Sequence, residues 1–134
     1  MDSGLRQRVE SWIREDPDPV TRVELEQLLG SGDERELADR FAGTLEFGTA
    51  GLRGVLGGGP NRMNRAVVRR TSAGLAAYLE ATVPSAKTRG VVVGYDGRRL
   101  SRELAAETAG VLAAAGFVVH LFDRLGPTPL TAWA

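Results

Sequence analysis

The stretch from Val91 to Phe122 limits the possible folds more than any other part of the chain. Val91-Val92-Val93 is a short apolar run closed by the turn signal Gly94-Tyr95-Asp96-Gly97. Leu104, Thr108, Val111, Leu112 and Ala115 then recur at helical spacing, with Ser101 placed to cap the helix and Gly116 to end it. Phe117 to Phe122 is a second apolar run. Strand, helix and strand fill a span close to the ~30 residues of a right-handed βαβ crossover. The expected class is therefore α/β, with a largely parallel sheet and helices on both faces.

The first forty residues read differently, as short helices. Leu5, Val9, Trp12 and Ile13 make one apolar stripe, and Asp16-Pro17-Asp18-Pro19 stops that helix because proline disfavours helical geometry in the residue before it. Thr21 and Glu24 have capping-box spacing ahead of Leu25, Leu28 and Leu29, with Gly30 to end the turn; Asp33 and Glu36 repeat the pattern before Leu37 and Phe41. Residues 1–43 thus form an acidic helical lead-in, and residues 44–134 the α/β domain. In that second part, 45–47 and 52–56 are expected as short strands and Gly57-Gly58-Gly59-Pro60 as a loop. Asn64 is expected to cap a helix that presents Val67, Val68, Thr71, Leu75, Tyr78 and Leu79 on one face and ends near Val83-Pro84.

Composition narrows the functional classes. A hydrophobic share of 43% and a charged share of 25% are those of an ordinary globular protein, and 134 residues allow one domain with a real core. The absence of cysteine excludes disulfides, a thiolate nucleophile and cysteine metal sites. No apolar run approaches the ~18 residues of a membrane span, which points to a cytoplasmic protein that does not engage a membrane. The net charge of zero conceals an asymmetry: residues 1–47 hold 6 Arg against 12 Asp and Glu, and residues 48–134 hold 11 basic against 5 acidic residues. The later part could favour an anionic ligand, or the acidic part is simply a set of solvated helix faces. Basic residues neither form a run nor alternate with aromatics, which argues against nucleic acid.

Phosphate chemistry has one natural location, Gly48 to Gly54, with the sequence G-T-A-G-L-R-G. Glycines such as Gly51 let backbone approach a ligand closely, Thr49 offers a hydroxyl, and Arg53 offers a planar fork that matches phosphate. The same residues also fit a glycine-rich hairpin with a solvated arginine. Gly57 to Asn64, including Asn61 and Arg62, is either a second phosphate cradle at a helix N-terminus or, as the better fit, a plain connection. Neither a dinucleotide fingerprint nor a P-loop occurs. Asp96, Arg98 and Ser101 lie at the carboxyl end of a strand, where open α/β sheets place ligands; mutual bracing of Asp96 with Arg98 is the preferred alternative. His120, the single histidine, sits in an apolar strand and reads as a structural residue.

Taken together, L-E-F-G-T-A-G-L-R-G from Leu45, N-R-M-N from Asn61, V-V-V-G-Y-D-G-R-R-L-S from Val91 and G-P-T-P-L from Gly126 resemble the α-D-phosphohexomutase (phosphoglucomutase/phosphomannomutase) family, in that order. The lead-in with Trp12 and the stretch from Gly32 to Phe41 resemble its phosphoglucomutase-2/phosphopentomutase-like subgroup. The resemblance implies the family's three-layer αβα domain I with a mostly parallel mixed sheet, here incomplete at the C-terminus. It implies a Mg²⁺-dependent isomerase that moves a phosphoryl group between C1 and C6 of a hexose, or C1 and C5 of a pentose, through a phosphoserine and a sugar bisphosphate. Sugar phosphate and sugar bisphosphate would be its partners. Arg53 would contact a phosphate, Thr49 and Gly51 would share its loop, Asp96 and Arg98 would support the phosphoserine loop, and Asn61, Arg62 and Asn64 would support the loop before the helix.

One departure bears on activity. The family's T-A-S-H-N-P-type phosphoserine loop, its D-x-D-x-D metal loop, its sugar-specificity loop and its phosphate-binding C-terminal domain do not occur in these 134 residues. Thr128 is placed to cap a helix that Pro129 opens, only about six residues before Ala134, so the sequence is expected to be cut inside an element, with a docked terminal turn as the alternative. Catalytic and metal-ligating residues are therefore expected to be lacking here and the segment alone inactive. A non-catalytic anion-binding module and a truncated remnant are the rival expectations. Sugar identity and oligomeric state stay open, although an unpaired sheet edge invites association.

Overall fold

The structure is a computed structural model and describes residues 1–49 and 51–134. It divides into two compact units, Met1–Val67 and Val68–Ala134.

In the first unit, helix α1 (Ser3–Glu15) starts where the Asp2 carboxylate accepts the Leu5 N–H at 3.1 Å, and it buries Leu5, Val9 and Trp12 as the apolar stripe requires. It ends at Asp16, whose extended backbone suits the proline that follows. Helix α2 (Pro19–Ser31) corrects the expected capping box. Asp18 is the cap, accepting the Val20 N–H at 2.9 Å, and Pro19 opens the helix. Aspartate followed by proline is the better start, because proline has no N–H to satisfy and its φ is already helical. Thr21 instead donates its hydroxyl to Asp16 at 2.6 Å. Gly30 stays helical, and Gly32 (φ 71°) makes the left-handed turn that ends α2. Helix α3 (Glu34–Arg40) begins as expected, with Asp33 accepting the Glu36 N–H.

Leu25, Leu37 and Val9 are fully buried between these helices, and the Trp12 and Phe41 rings meet edge to face at 6.1 Å. Leu45 and Leu52 pack against the same core. Strands β1 (Phe47–Gly48) and β2 (Gly51–Leu52) pair antiparallel, Phe47 opposite Leu52. They are shorter than expected because the flanks pair elsewhere: the Leu45 N–H bonds Pro60 O at 3.3 Å and the Met63 N–H bonds Val55 O at 2.7 Å. Ala50, part of the expected Gly48–Gly51 connection, lies outside the described residues.

Helix α4 (Arg65–Thr82) is capped by Asn64, whose Oδ1 accepts the Val67 N–H at 2.9 Å. In the second unit its buried residues are Ser72 and Ala76, whereas Leu75 and Tyr78, expected on the inner face, are 42% and 64% exposed. The small residues win because Ser72 and Arg69 meet Thr108 and Glu107 of the next long helix, and short side chains permit that approach. A short helix α5 (Ala86–Arg89), not anticipated, precedes β3 (Val91–Val93). Helix α6 (Ser101–Ala114) then leads to β4 (Val119–Leu121), which pairs parallel with β3 in the register Val91–Val119 and Val93–Leu121. The crossover is therefore present, and the class is α/β. Leu112 and Phe117 anchor its core beside Ala76 and Ala86.

Two caps differ from expectation. Ser101 is the first residue of α6 rather than its cap, and Leu100 holds the capping position at φ 64°. Helix α7 (Thr128–Trp133) includes Thr128, and Pro127 precedes it. Leu130 and Trp133 are exposed.

Candidate functional site

The first candidate loop belongs to the unit Met1–Val67. Thr49 and Arg53 are both exposed, and Arg53 has no hydrogen bond or ion pair among the described residues. Gly51, at φ 90°, takes the left-handed backbone that glycine permits at the end of the hairpin. The loop is nonetheless anchored on both sides. Leu52, beside Arg53, packs on the core, and a side chain at Gly54 would run into Leu45, whose Cδ2 lies 2.6 Å from the Cβ position.

The following loop, Gly57 to Asn64, spends its amides within the fold. Gly57 N–H bonds Met63 O, Asn61 N–H bonds Arg40 O at 3.0 Å, Arg62 N–H bonds Gly59 O, and Met63 N–H bonds Val55 O. Gly58 N–H goes to the Glu24 carboxylate at 3.0 Å. With five donors used in this way, the loop acts as a connection rather than as a phosphate cradle. Its glycines serve contact with helices: a Cβ on Gly58 would lie 2.8 Å from Leu25 Cγ, and one on Gly59 would lie 3.1 Å from Arg40 Cβ.

The three residues read as loop supports have distinct partners. Asn64 is 2% exposed and donates to Gly57 O and Gly59 O, both at 2.8 Å, while its carbonyl caps α4. Arg62 pairs with Asp39 at 2.5 Å and Glu36 at 3.5 Å. The Asn61 amide donates to Asp39 O at 3.1 Å.

Arg40 sits at the centre of this network, donating to Glu24 at 2.7 Å, Glu36 at 2.8 Å and Gly58 O at 3.2 Å. Burial alone would lower its pKa, but the hydrogen bonds and charges of Glu36 and Glu24 outweigh that and raise it. The Glu24–Arg40 pair leaves no local signal in the sequence. Glu36 and Arg40 are four apart and readable on one helix face, whereas Glu24 lies on another helix.

The second candidate belongs to Val68–Ala134, at the carboxyl end of β3. Asp96 accepts the Arg98 N–H at 3.0 Å, its carboxylate forms an ion pair with Arg98 Nε at 3.2 Å, and the Asp96 N–H bonds Ser101 Oγ at 3.1 Å. Bracing is thus the geometry that Asp96 and Arg98 adopt. The Arg98 N–H does most to hold the Asp96 carboxyl below its ordinary value; desolvation opposes it, and Ser101 and the Arg98 charge add to it. A hollow of about 200 Å³ opens here, lined by Gly94, Asp96, Ser101, Thr128 and Thr131. Gly94 has no room for a side chain, since a Cβ would overlap Thr131.

His120 is exposed rather than enclosed and lines a larger hollow of about 650 Å³ with Val92 and Phe122. It stands opposite Val92 in the register, on the face away from Val91, Val93 and Val119, which pack on the core. Among the described residues no three of His, Cys, Asp and Glu gather as metal ligands, and no helix is long and apolar enough to cross a membrane.

Comparison with known proteins now bears on these loops. The family described as phosphoglucomutase/phosphomannomutase, alpha/beta/alpha domain I, matches residues 44–134, which include both Arg53 and Asp96. The chain belongs to this family. Over 134 residues it is 42% identical to a probable phosphoribomutase of Schizosaccharomyces pombe, covering 100% of this chain and 23% of that protein. It is 37% identical to a phosphopentomutase of Mus musculus and 40% identical to a glucose 1,6-bisphosphate synthase of the same organism, in each case over 99% of this chain and 22% of the relative. These relatives place it in the phosphoglucomutase-2/phosphopentomutase-like subgroup, as an N-terminal domain. The chain spans less than a quarter of the length of these relatives. No solved structure matches it significantly.

Proposed function

We propose that these residues are the N-terminal portion of a phosphosugar mutase that moves a phosphoryl group between C1 and the terminal hydroxyl of a pentose or hexose phosphate, through a phosphoserine and a sugar bisphosphate. The observation that carries this reading is Arg53: an exposed guanidinium without a protein partner among the described residues, on a loop anchored to a buried core, inside the segment that matches the family. A free, planar fork is what a phosphate dianion requires, and phosphoryl transfer depends on positioning and charge neutralisation more than on covalent chemistry from the fold.

In this reading Arg53 takes two phosphate oxygens, Thr49 donates its hydroxyl nearby, and Gly51 lets backbone approach. Asp96 and Arg98 shape the loop at the end of β3, where parallel sheets place ligands. Residues 1–43 are the lead-in and 44–134 the catalytic family's first domain, a division supported by the start of the family match. The parallel β3–β4 pair supports a three-layer αβα domain with a mostly parallel sheet. Magnesium, the cofactor expected of the complete enzyme, would take ligands from outside this segment; among the described residues no three of His, Cys, Asp and Glu gather to hold it.

In the full-length polypeptide that carries this segment, Arg53→Lys keeps the charge but loses the two-pronged contact. The expected result, in coupled assays from glucose 1-phosphate and ribose 1-phosphate, is a marked fall in kcat/KM with little change in Tm. Unchanged turnover would make Arg53 a solvated strand residue and remove the basis of the reading. The 134-residue segment alone is expected to show no conversion in the same assays, since it contains no T-A-S-H-N-P-type serine.

A further inference from the structure

We infer that the acidic lead-in is a positioning device for the phosphate-binding arginine, with Glu24 and Arg40 as the residues through which α2 and α3 fix the Arg53 loop. This rests on the reading of Arg53 given above and adds to it a role for residues outside the segment that matches the family.

One connected set of contacts runs through Met1–Val67. The two oxygens of Glu24 divide their work: Oε1 receives Arg40 Nη1 at 2.7 Å, and Oε2 receives the Gly58 N–H at 3.0 Å. Arg40 closes the ring by donating to Gly58 O at 3.2 Å, so both backbone polar groups of one loop residue are held by one ion pair. The carboxylate is itself fixed, since Arg40 is also tied to Glu36 and only 11% of its side chain is exposed. Gly58 lies flush on Leu25, with Thr21 O 3.1 Å from where a Cβ would stand.

From that loop the contacts reach both arms of the Arg53 hairpin. Pro60 O receives the Leu45 N–H, ahead of β1, and the Met63 N–H reaches Val55 O, two residues past Arg53. Leu56 and Met63 add a parallel bridge. An arginine without a partner among the described residues gains its aim from the backbone carrying it, and here that backbone is fastened to the lead-in. Displacements of about 1 Å at positions remote from the chemistry can cost a hundredfold in rate.

The test is a double-mutant cycle in the full-length polypeptide, with glucose 1-phosphate and ribose 1-phosphate as substrates and Tm recorded for each variant. Glu24→Gln keeps an acceptor of the same shape and weakens the hold on Arg40. Its kcat/KM is expected to fall about tenfold, through KM and kcat together. Arg53→Met is expected to fall further, and the double variant to be no worse than Arg53→Met alone, because Glu24 acts only through Arg53. If Arg53→Met falls while Glu24→Gln is unchanged, or if the double variant shows the product of the two losses, the positioning inference is overturned and the reading of Arg53 stands. If Arg53→Met itself is unchanged, the reading of Arg53 fails instead.

Should Glu24→Gln not fold, Glu24→Asp shortens the same carboxylate by one methylene and takes its place in the cycle. Hydrogen exchange gives a readout independent of turnover. Amides 51–56 of the Glu24 variant are expected to exchange faster than in the parent, and unchanged exchange there would also overturn the inference.

Discussion

Substituting alanine for Gly58 tests whether the glycine run exists for helix contact. The added Cβ would stand 2.8 Å from Leu25 Cγ and 3.1 Å from both Leu25 Cδ1 and Thr21 O, whereas carbon atoms rest at about 3.5–4.0 Å. Leu25 is fully buried and Thr21 O is backbone, so neither can yield, and the loop must retreat by about 0.7 Å. That retreat stretches the 3.0 Å Gly58–Glu24 hydrogen bond to roughly 3.7 Å, beyond useful length. Overpacking costs about 1–3 kcal/mol and a weakened charge-assisted bond up to a similar amount. Reduced freedom of the unfolded chain returns about 0.4–1 kcal/mol. The expected net loss is about 2 kcal/mol, which lowers the Tm by roughly 8–16 °C for a unit of this size. Gly30→Ala is the internal control: Gly30 lies inside α2 with nothing within 4 Å of its Cβ position, and the change should stabilise by about 0.5–1 kcal/mol. Far-UV circular dichroism during heating reads both variants. Equal stability of Gly58→Ala and parent, or equal shifts for the two variants, would refute flush docking of the loop on α2.

Two other outcomes follow from particular residues. Leu25→Ala removes a fully buried side chain from the core under the Gly58 loop and should cost about 2–5 kcal/mol in urea unfolding; a loss below about 1 kcal/mol would mean that the site collapses freely. Asp96, with its folded pKa below the ordinary 3.8, contributes stability that is complete above that value and fades as pH falls through the lower folded one. A carboxyl-carbon NMR titration should therefore place Asp96 below 3.8, and Asp96→Asn should flatten the acid limb of the stability curve; a midpoint at or above 3.8 would remove the bracing account.

Much of the local structure was legible because it depends on near neighbours. The apolar stripe of α1, the Asp33 cap and the Asn64 cap are each settled within a few residues, and each appears where the spacing put it. The βαβ crossover was legible for the same reason: two apolar runs and the helix between them leave few ways to bury their surfaces. Arg53 could be singled out as the residue suited to phosphate, because its chemistry belongs to the side chain and its neighbours are small. Where the sequence misled, two local options competed, as with Thr21 against Asp18 for the start of α2, and proline at the first helical position decided the outcome.

The chain's order of residues thus determined its long helices, its crossover, its family and the candidate arginine. What only tertiary structure decided was which residues fasten the Gly58 loop. Glu24 is 34 residues from Gly58 and 16 from Arg40, and no periodicity links them. Likewise Leu75 and Tyr78 are apolar enough to be buried, yet the smaller Ser72 and Ala76 take the contact face. Helical and strand spacing encode interactions across one turn or one pleat. A carboxylate shared between an arginine and a loop amide exists only once three separate elements have packed, so its partners were set by the fold and not by the local pattern.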